Sequence, residues 1–417
     1  MEGKIAAATL LLVLALAPAA ARAEDPAPYR TPLAGEQCDI ECFGKHYLVA
    51  TRDRDNTGAV VLGGSLFLPD LGGHEFSPIG AVYWKHRWDD TRLRGTFSGF
   101  VNDINLAKSR DDLQFLWHFE NTTIPFTRKE IDNGGEVGGS ALKWGNLAGR
   151  FGVGLRLPVA PSQVDNDLRL QFFYQVGYLY SQRVGETAPG VKLPPDTIVH
   201  GPLVRVRYDG LRRNLMELPH EGIAGGLDTE ISQRARWSDA SYGGPTLSEN
   251  QTRHYLKLSG YLLAATGIPF LSEKNRLLAS FNGGFTPYGT LDRFSAYRIG
   301  GGPIPSEADD LDRLVYPGAV FGQYPASDYL MGALEYRREI FSFLYLHLRG
   351  THAWVRRELF SDPSRNFDEG EGDALSVGIT SGFLFQSEIY LEYSYDSGML
   401  RHGTSGGSAL VLWSKSF

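Results

Sequence analysis

Apolar residues near the end of this chain fall on alternate positions. From Leu375 to Phe385 they are Leu375, Val377, Ile379, Phe383 and Phe385, with Ala374, Ser376, Gly378, Thr380 and Gly382 filling the other face. A period of two belongs to extended strands, whose side chains alternate between the two sides of a sheet. Ile389, Leu391, Tyr393 and Tyr395 then alternate with Glu388, Glu392, Ser394 and Asp396, and Ala409, Val411, Trp413 and Phe417 share the last face. Leu168 to Ser181 repeats the pattern, with Leu168, Leu170, Phe172, Tyr174, Val176, Tyr178 and Tyr180 against Arg169, Gln171, Gln175 and Ser181. One face of each stretch suits lipid and the other water.

The start of the chain supports a membrane reading. Lys4, an apolar run from Ile5 to Ala17, Pro18 and the small-residue site Ala21-Arg22-Ala23 before Glu24 predict a Sec-type cleavable leader over 1–23. The run is too short to span a bilayer comfortably, and no later segment resembles a transmembrane helix. Only helices and closed barrels satisfy every backbone group in lipid, so a membrane form of this chain is a barrel. Gly 49, Tyr 20, Phe 23 and Trp 7 suit many turns and interfacial aromatics. A formal charge of -7 argues against a nucleic-acid partner.

Residues 24–57 are polar, rich in Pro and Gly, and too few for an ordinary folded domain, which predicts a short periplasmic tail or plug. Cys38 and Cys42 lie within it as candidates for a small disulfide loop in an oxidising compartment, or as two unpaired thiols. The barrel is expected over 58–417. Its candidate strands are Ala59–Phe67, Ile79–Trp88, Thr91–Asn102, Leu113–Phe119, Val137–Lys143, Ala148–Leu157, Leu168–Ser181, Gly201–Tyr208, Gly222–Ala235, Thr252–Leu263, Arg276–Phe285, Leu330–Ile340, Tyr345–Val355 and the three closing strands. The expected fold is therefore all-β, a transmembrane antiparallel β-barrel of about 16 strands, an even number that leaves both termini on one side. Between strands 11 and 12, from Phe285 to Leu330, runs a long irregular stretch holding Gly300, Gly301, Pro303, Pro305, the acidic run Glu307 to Asp312, Pro317 and Gly318. Connections of this length are usually functional or disordered.

Several stretches in this order resemble the BamA/TamA-type assembly barrels, the bacterial surface-antigen superfamily that also includes two-partner-secretion transporters. They are Tyr208-Asp209-Gly210 with Pro219 and Gly222, then Arg293-Phe294 and Arg298-Ile299-Gly300-Gly301, then Leu334-Glu335-Tyr336-Arg337, and a terminal Phe417 like the export signal of outer-membrane barrels. The resemblance covers residues 200–417 and implies a long loop folded into the lumen and locked to the wall by charge. The loop tip reads Leu314-Val315-Tyr316-Pro317-Gly318, without the family's arginine, and a later strand carries Arg349 where an acid is common. The expected lock is Arg298 or Arg313 reaching Glu335, with Arg337 and Glu339 also facing inward. The family's assembly members use periplasmic POTRA domains, for which the tail here offers no room. What the resemblance leaves is a seam between the first and last strands. Gly63 and Gly64 predict a short, weak first strand, with Trp413 and Phe417 on its partner.

Residue patterns for catalysis, cofactors and metals are missing. His347 and His352 fall on opposite faces of a strand, and no Gly-x-Ser-x-Gly elbow or phosphate-cradling glycine loop occurs. The acidic run Glu307 to Asp312 suits a solvated surface loop or a divalent cation. Three functions compete: a barrel aiding insertion or translocation of proteins or lipids, a passive pore or structural barrel, and an outer-membrane enzyme. The partners expected are outer-membrane lipids and client proteins, on a monomer.

Overall fold

The computed structural model describes residues 29–417 apart from 43, 50–52, 100, 124–126, 162–165, 302–310, 320–323, 363, 365–366 and 383–386. The expected leader over 1–23 lies outside the described residues. Sixteen long strands form one closed antiparallel barrel. They are β1 (Thr57–Leu71), β2 (His74–Trp88), β3 (Thr91–Phe97), β4 (Val101–Arg110), β5 (Leu113–Thr123), β6 (Leu142–Pro158), β7 (Asp167–Arg183) and β8 (Thr197–Asp209) in the first half. The second half comprises β9 (Pro219–Arg234), β10 (His254–Gly267), β11 (Asn275–Tyr288), β12 (Asp328–Phe341), β13 (Leu344–Glu358), β14 (Phe367–Gly382), β15 (Ser387–Asp396) and β16 (Gly406–Ser416).

The expected number of strands is right through two errors that cancel. The segment expected as one strand, Thr91–Asn102, is two, because the chain reverses after Phe97 with Gly99 at φ 81°. Val137–Lys143 is not a stave of its own: Gly135–Glu136 folds back on Ile131–Asp132, and β6 begins at Leu142. Hydrophobic alternation continues through a tight reversal, so it does not mark where one strand becomes two.

Along β7 the outward residues Leu170, Phe172, Tyr174, Val176 and Tyr178 are each at least 40% exposed, whereas Phe173 and Leu179 face inward and are buried. Around the wall Leu62, Trp84, Trp117, Phe151, Ile231, Leu262, Leu334 and Val377 repeat that exposure. A continuous apolar outer surface of this kind suits hydrocarbon and would be anomalous in water. The end that carries both termini has short turns, such as 89–90, 111–112 and 342–343, and the opposite end carries the long connections 124–141, 184–196, 235–253 and 289–327.

Closure is complete. Residues Gly407–Ser416 of β16 pair in unbroken register with Leu68–Ala59 of β1, and Gly58 and Phe417 exchange backbone hydrogen bonds of 3.1 and 2.9 Å. The expected short, weak first strand is corrected: β1 has 15 residues. At Gly63 a side chain would place its Cβ 2.0 Å from the carbonyl oxygen of Val411, and at Gly64 it would meet the Phe76 ring at 2.4 Å. These glycines let neighbouring strands approach closely at the seam. Trp413 lies opposite Leu62 on the outer face.

Below the terminus-bearing end, residues 29–36 tuck against the wall. Tyr29 and Thr31 both donate to the Glu339 carboxylate, and Ala34 N donates to Arg213 O at 2.9 Å. Beyond them Cys38–Cys42 pairs with Lys45–Val49 as a small hairpin. Cys38 is free, and four extended steps of roughly 3.3 Å separate it from Cys42, beyond the reach of a disulfide. The expected intramolecular disulfide is therefore not formed; both cysteines lie on one strand.

Candidate functional site

The connection between β11 and β12 runs against inward-facing side chains around the barrel. Near its start, Asp292 pairs with Arg234 at the end of β9, at 2.8 Å, with both side chains 1% exposed. Tyr242, from the connection between β9 and β10, donates to the same carboxylate at 3.2 Å. Lys257 of β10 donates to Ser295 O, and Tyr297 donates to the carbonyls of Leu258 and Phe285. Gly300 and Val315 bridge in parallel, and a Cβ on Gly301 would lie 1.5 Å from Ala319 O, so the two limbs of the loop close only over glycine. On the far side of the lumen Arg349 of β13 donates to Val315 O at 3.3 Å. Gly318, at φ 82°, packs against Ser394 of β15 and Ser408 of β16, next to the seam, and Pro317 precedes it in a turn.

The charges that fasten this loop have the opposite sign to the expected ones, with the acid on the loop and the base on the wall. Asp312 accepts from Nη2 of Arg207, on β8, at 2.7 Å. Arg207 also holds Asp228 of β9 through Nη1 at 2.6 Å, and Arg205 holds that carboxylate through Nε and Nη2. Burial by itself would raise the Asp312 pKa, but the guanidiniums of Arg207 and Arg205 pull it down to about 2. Glu335 is engaged from within the wall: Arg337 donates to it at 2.6 Å, and His347 lies 3.0 Å away. This replaces the expected Arg298–Glu335 or Arg313–Glu335 lock. Asp312 belongs to a run read from sequence as a surface or cation loop, yet it points into the lumen.

Arg298 belongs to another cluster. Its guanidinium lies 5.2 Å from the Trp144 ring, Arg128 lies 5.9 Å from the same ring, and Arg293 donates to Arg128 O. Burial, then the charges of Arg128 and Arg293, lower the Arg298 pKa to about 9. Above them Tyr242, Phe294 and Phe360 stack edge to face and roof the long-turn end.

A chain of bonds runs from Glu335 through His347 to Thr380 Oγ1, 2.6 Å from Nε2. It has the order of a nucleophile, base and orienting acid. Thr380 is 1% exposed, however, so the chain ties β12, β13 and β14 together and presents no hydroxyl to a substrate.

In the half of the lumen nearer the termini lies a cavity of about 110 Å³. Arg92, Arg94, Arg169, Arg205 and Arg207 line it from β3, β7 and β8, and Leu311 and Asp312 of the loop close it. Of these, sequence reading placed Arg169 on the polar face of its strand. It missed Arg207 and its partner on the loop because neither stands in a motif; only strand alternation puts Arg207 two places from Arg205.

The fold is found among solved bacterial outer-membrane proteins. CdiB from Acinetobacter baumannii is similar over 92% of this chain and 65% of that one, at 10% identity and a TM-score of 0.55. CdiB from Escherichia coli is similar over 93% and 68%, at 12% identity and a TM-score of 0.51. BamA from Haemophilus ducreyi lacking POTRA domains 1-3 follows at 11% identity, with coverage of 92% and 75% and a TM-score of 0.49. At such identities the likeness is one of fold, and this chain spans less than two thirds of the Acinetobacter protein. No protein-family model and no curated protein matches the sequence. The barrel resembles bacterial outer-membrane proteins, which supports an outer-membrane location.

Proposed function

We propose that this barrel sits in the bacterial outer membrane with its termini in the periplasm and aids the insertion or passage of proteins or lipids, with no chemistry of its own. The observation that carries the reading is the path of the β11–β12 loop. It is tied to Arg207 on one wall and rests its tip on Ser394 and Ser408 beside the seam. An element that touches both the lumen filling and the closing strands couples the state of one to the other. Strand addition at an opened edge is the physical route by which such a seam receives a client.

Cysteines in place of Leu62 and Trp413, which oppose each other across the seam, test it. Locking the seam by oxidation is expected to abolish the activity of the chain in cells lacking the native copy, with recovery on reduction. Full activity of the locked barrel sinks the proposal. A second reading, a passive pore, is favoured by the polar lumen and its arginine-lined cavity; it predicts that the locked barrel works normally.

A further inference from the structure

We propose that Arg128, Arg293 and Arg298 together bind a small anion of the phosphate class at the long-turn end of the lumen, where it bolts the β11–β12 connection to the β5–β6 connection. Binding there does not depend on whether the seam opens. Arg128 stands on the β5–β6 connection, and Arg293 and Arg298 stand on the β11–β12 connection. The two connections meet around Trp144, with the guanidinium of Arg128 5.9 Å and that of Arg298 5.2 Å from the ring. Arg293 donates from Nη2 to Arg128 O at 3.0 Å, and Arg298 donates from Nη2 to Arg293 O. Three guanidiniums from two distant segments therefore converge on one place.

Their counter-charge is missing. Among the described residues no carboxylate is ion-paired to any of the three. The nearby acids are engaged elsewhere: Asp292 accepts from Arg234, Tyr242 and Ser295, and Glu130 accepts from the Phe360 and Ser361 amides and the Ser361 hydroxyl. Arg293 is 6% exposed, and its Nη1 makes no hydrogen bond. A charge taken out of water without a partner is costly, and charges of one sign held together add their repulsion. Burial, then the neighbouring guanidiniums, lower Arg298 to about 9 and Arg128 to about 10, so both stay charged at neutral pH. The forked donors of arginine match the oxygens of a phosphate group, which offers several acceptors and more than one charge to a site with three cations. Such an anion binds the folded arrangement alone and so stabilises it by mass action.

The test is calorimetric titration of inorganic phosphate into the full chain in detergent, at constant ionic strength set with chloride, for the native protein and for Arg128→Gln. The Arg128 side chain donates no hydrogen bond among the described residues, so this variant is expected to keep the strand circular dichroism of the native chain. The native protein is expected to bind phosphate, and Arg128→Gln to bind it at least several-fold more weakly. Equal binding by the two, or none by the native chain, overturns the proposal. Hydrogen exchange with and without phosphate locates the anion. Slower exchange is expected at 128–131 and 293–299, and slowing confined to 92–94 and 205–207, beside the other arginines of the lumen, overturns the site. Binding that emerges only when Glu307, Asp309 and Asp310 are all changed to their amides shows the chain's own acids filling the cluster, and also overturns it. Displacement of phosphate by a short-chain phosphatidic acid, and not by the matching phosphatidylcholine, assigns the site to a lipid headgroup, and displacement by neither assigns it to the free ion. Displacement by both marks a site for lipid tails and contradicts the proposal.

Discussion

At the scale of residues, the lumen is organised by ion pairs whose partners come from distant parts of the chain. Arg234 and Asp292 are the most enclosed, and removing one member leaves the other charge buried. Asp292→Ala is expected to cost roughly 3–5 kcal/mol in denaturant unfolding from detergent, whereas Arg234→Met with Asp292→Leu together is expected to cost far less. The Asp312 latch has a different signature. Its pKa of about 2 lies below the ordinary aspartate value near 3.9, so its contribution is present above pH 4 and lost only as pH falls towards 2. Protease cleavage of the loop is therefore expected to be unchanged between pH 8 and pH 5; marked acceleration by pH 5 would remove Asp312 as the fastening. Gly301→Ala is expected to speed that cleavage several-fold, because its Cβ meets a backbone carbonyl. Gly332→Ala, with nothing within 4 Å, serves as the neutral control. Sequence alone identified Glu335, Arg337 and Glu339 as inward, since parity on a strand decides it. The partners were not legible, because parity says which way a side chain points and nothing about which loop residue arrives there.

At the scale of elements, the pattern of two located the staves, and glycine turns were its blind spot. The Tyr208-Asp209-Gly210 hairpin shows what a short motif contributes. Asp209 binds Arg213 and the Leu211 amide, and Gly222, at φ 110°, lies where a Cβ would strike Gly210 O at 2.2 Å. Ladder length corrects the expectation of a weak seam. β3 pairs through seven residues on each side, Thr91 to Phe97, while the seam runs through ten, Gly407 to Ser416. Hydrogen exchange is therefore expected to be faster in β3 than in β1 and β16, and the reverse order would restore the seam as the softest part of the wall. The disulfide expected in the tail failed for a reason of the same scale: close spacing in sequence favours a bridge only in a turn, and these cysteines share a strand.

At the scale of the whole molecule, an outer surface of exposed apolar residues encloses a polar interior that the β11–β12 connection enters. The closed wall was legible because membrane physics admits so few alternatives once strands replace helices. The loop in the lumen was expected through the family resemblance alone, because a loop without periodicity leaves no trace of where it folds. The central claim is that the connection between β11 and β12 fills the barrel it belongs to. Single-channel recording in planar bilayers, on the full chain and on a chain lacking 301–327, tests it most directly. The account predicts a nearly silent full chain and steady, several-fold larger conductance after the deletion; equal conductance from the two would contradict it.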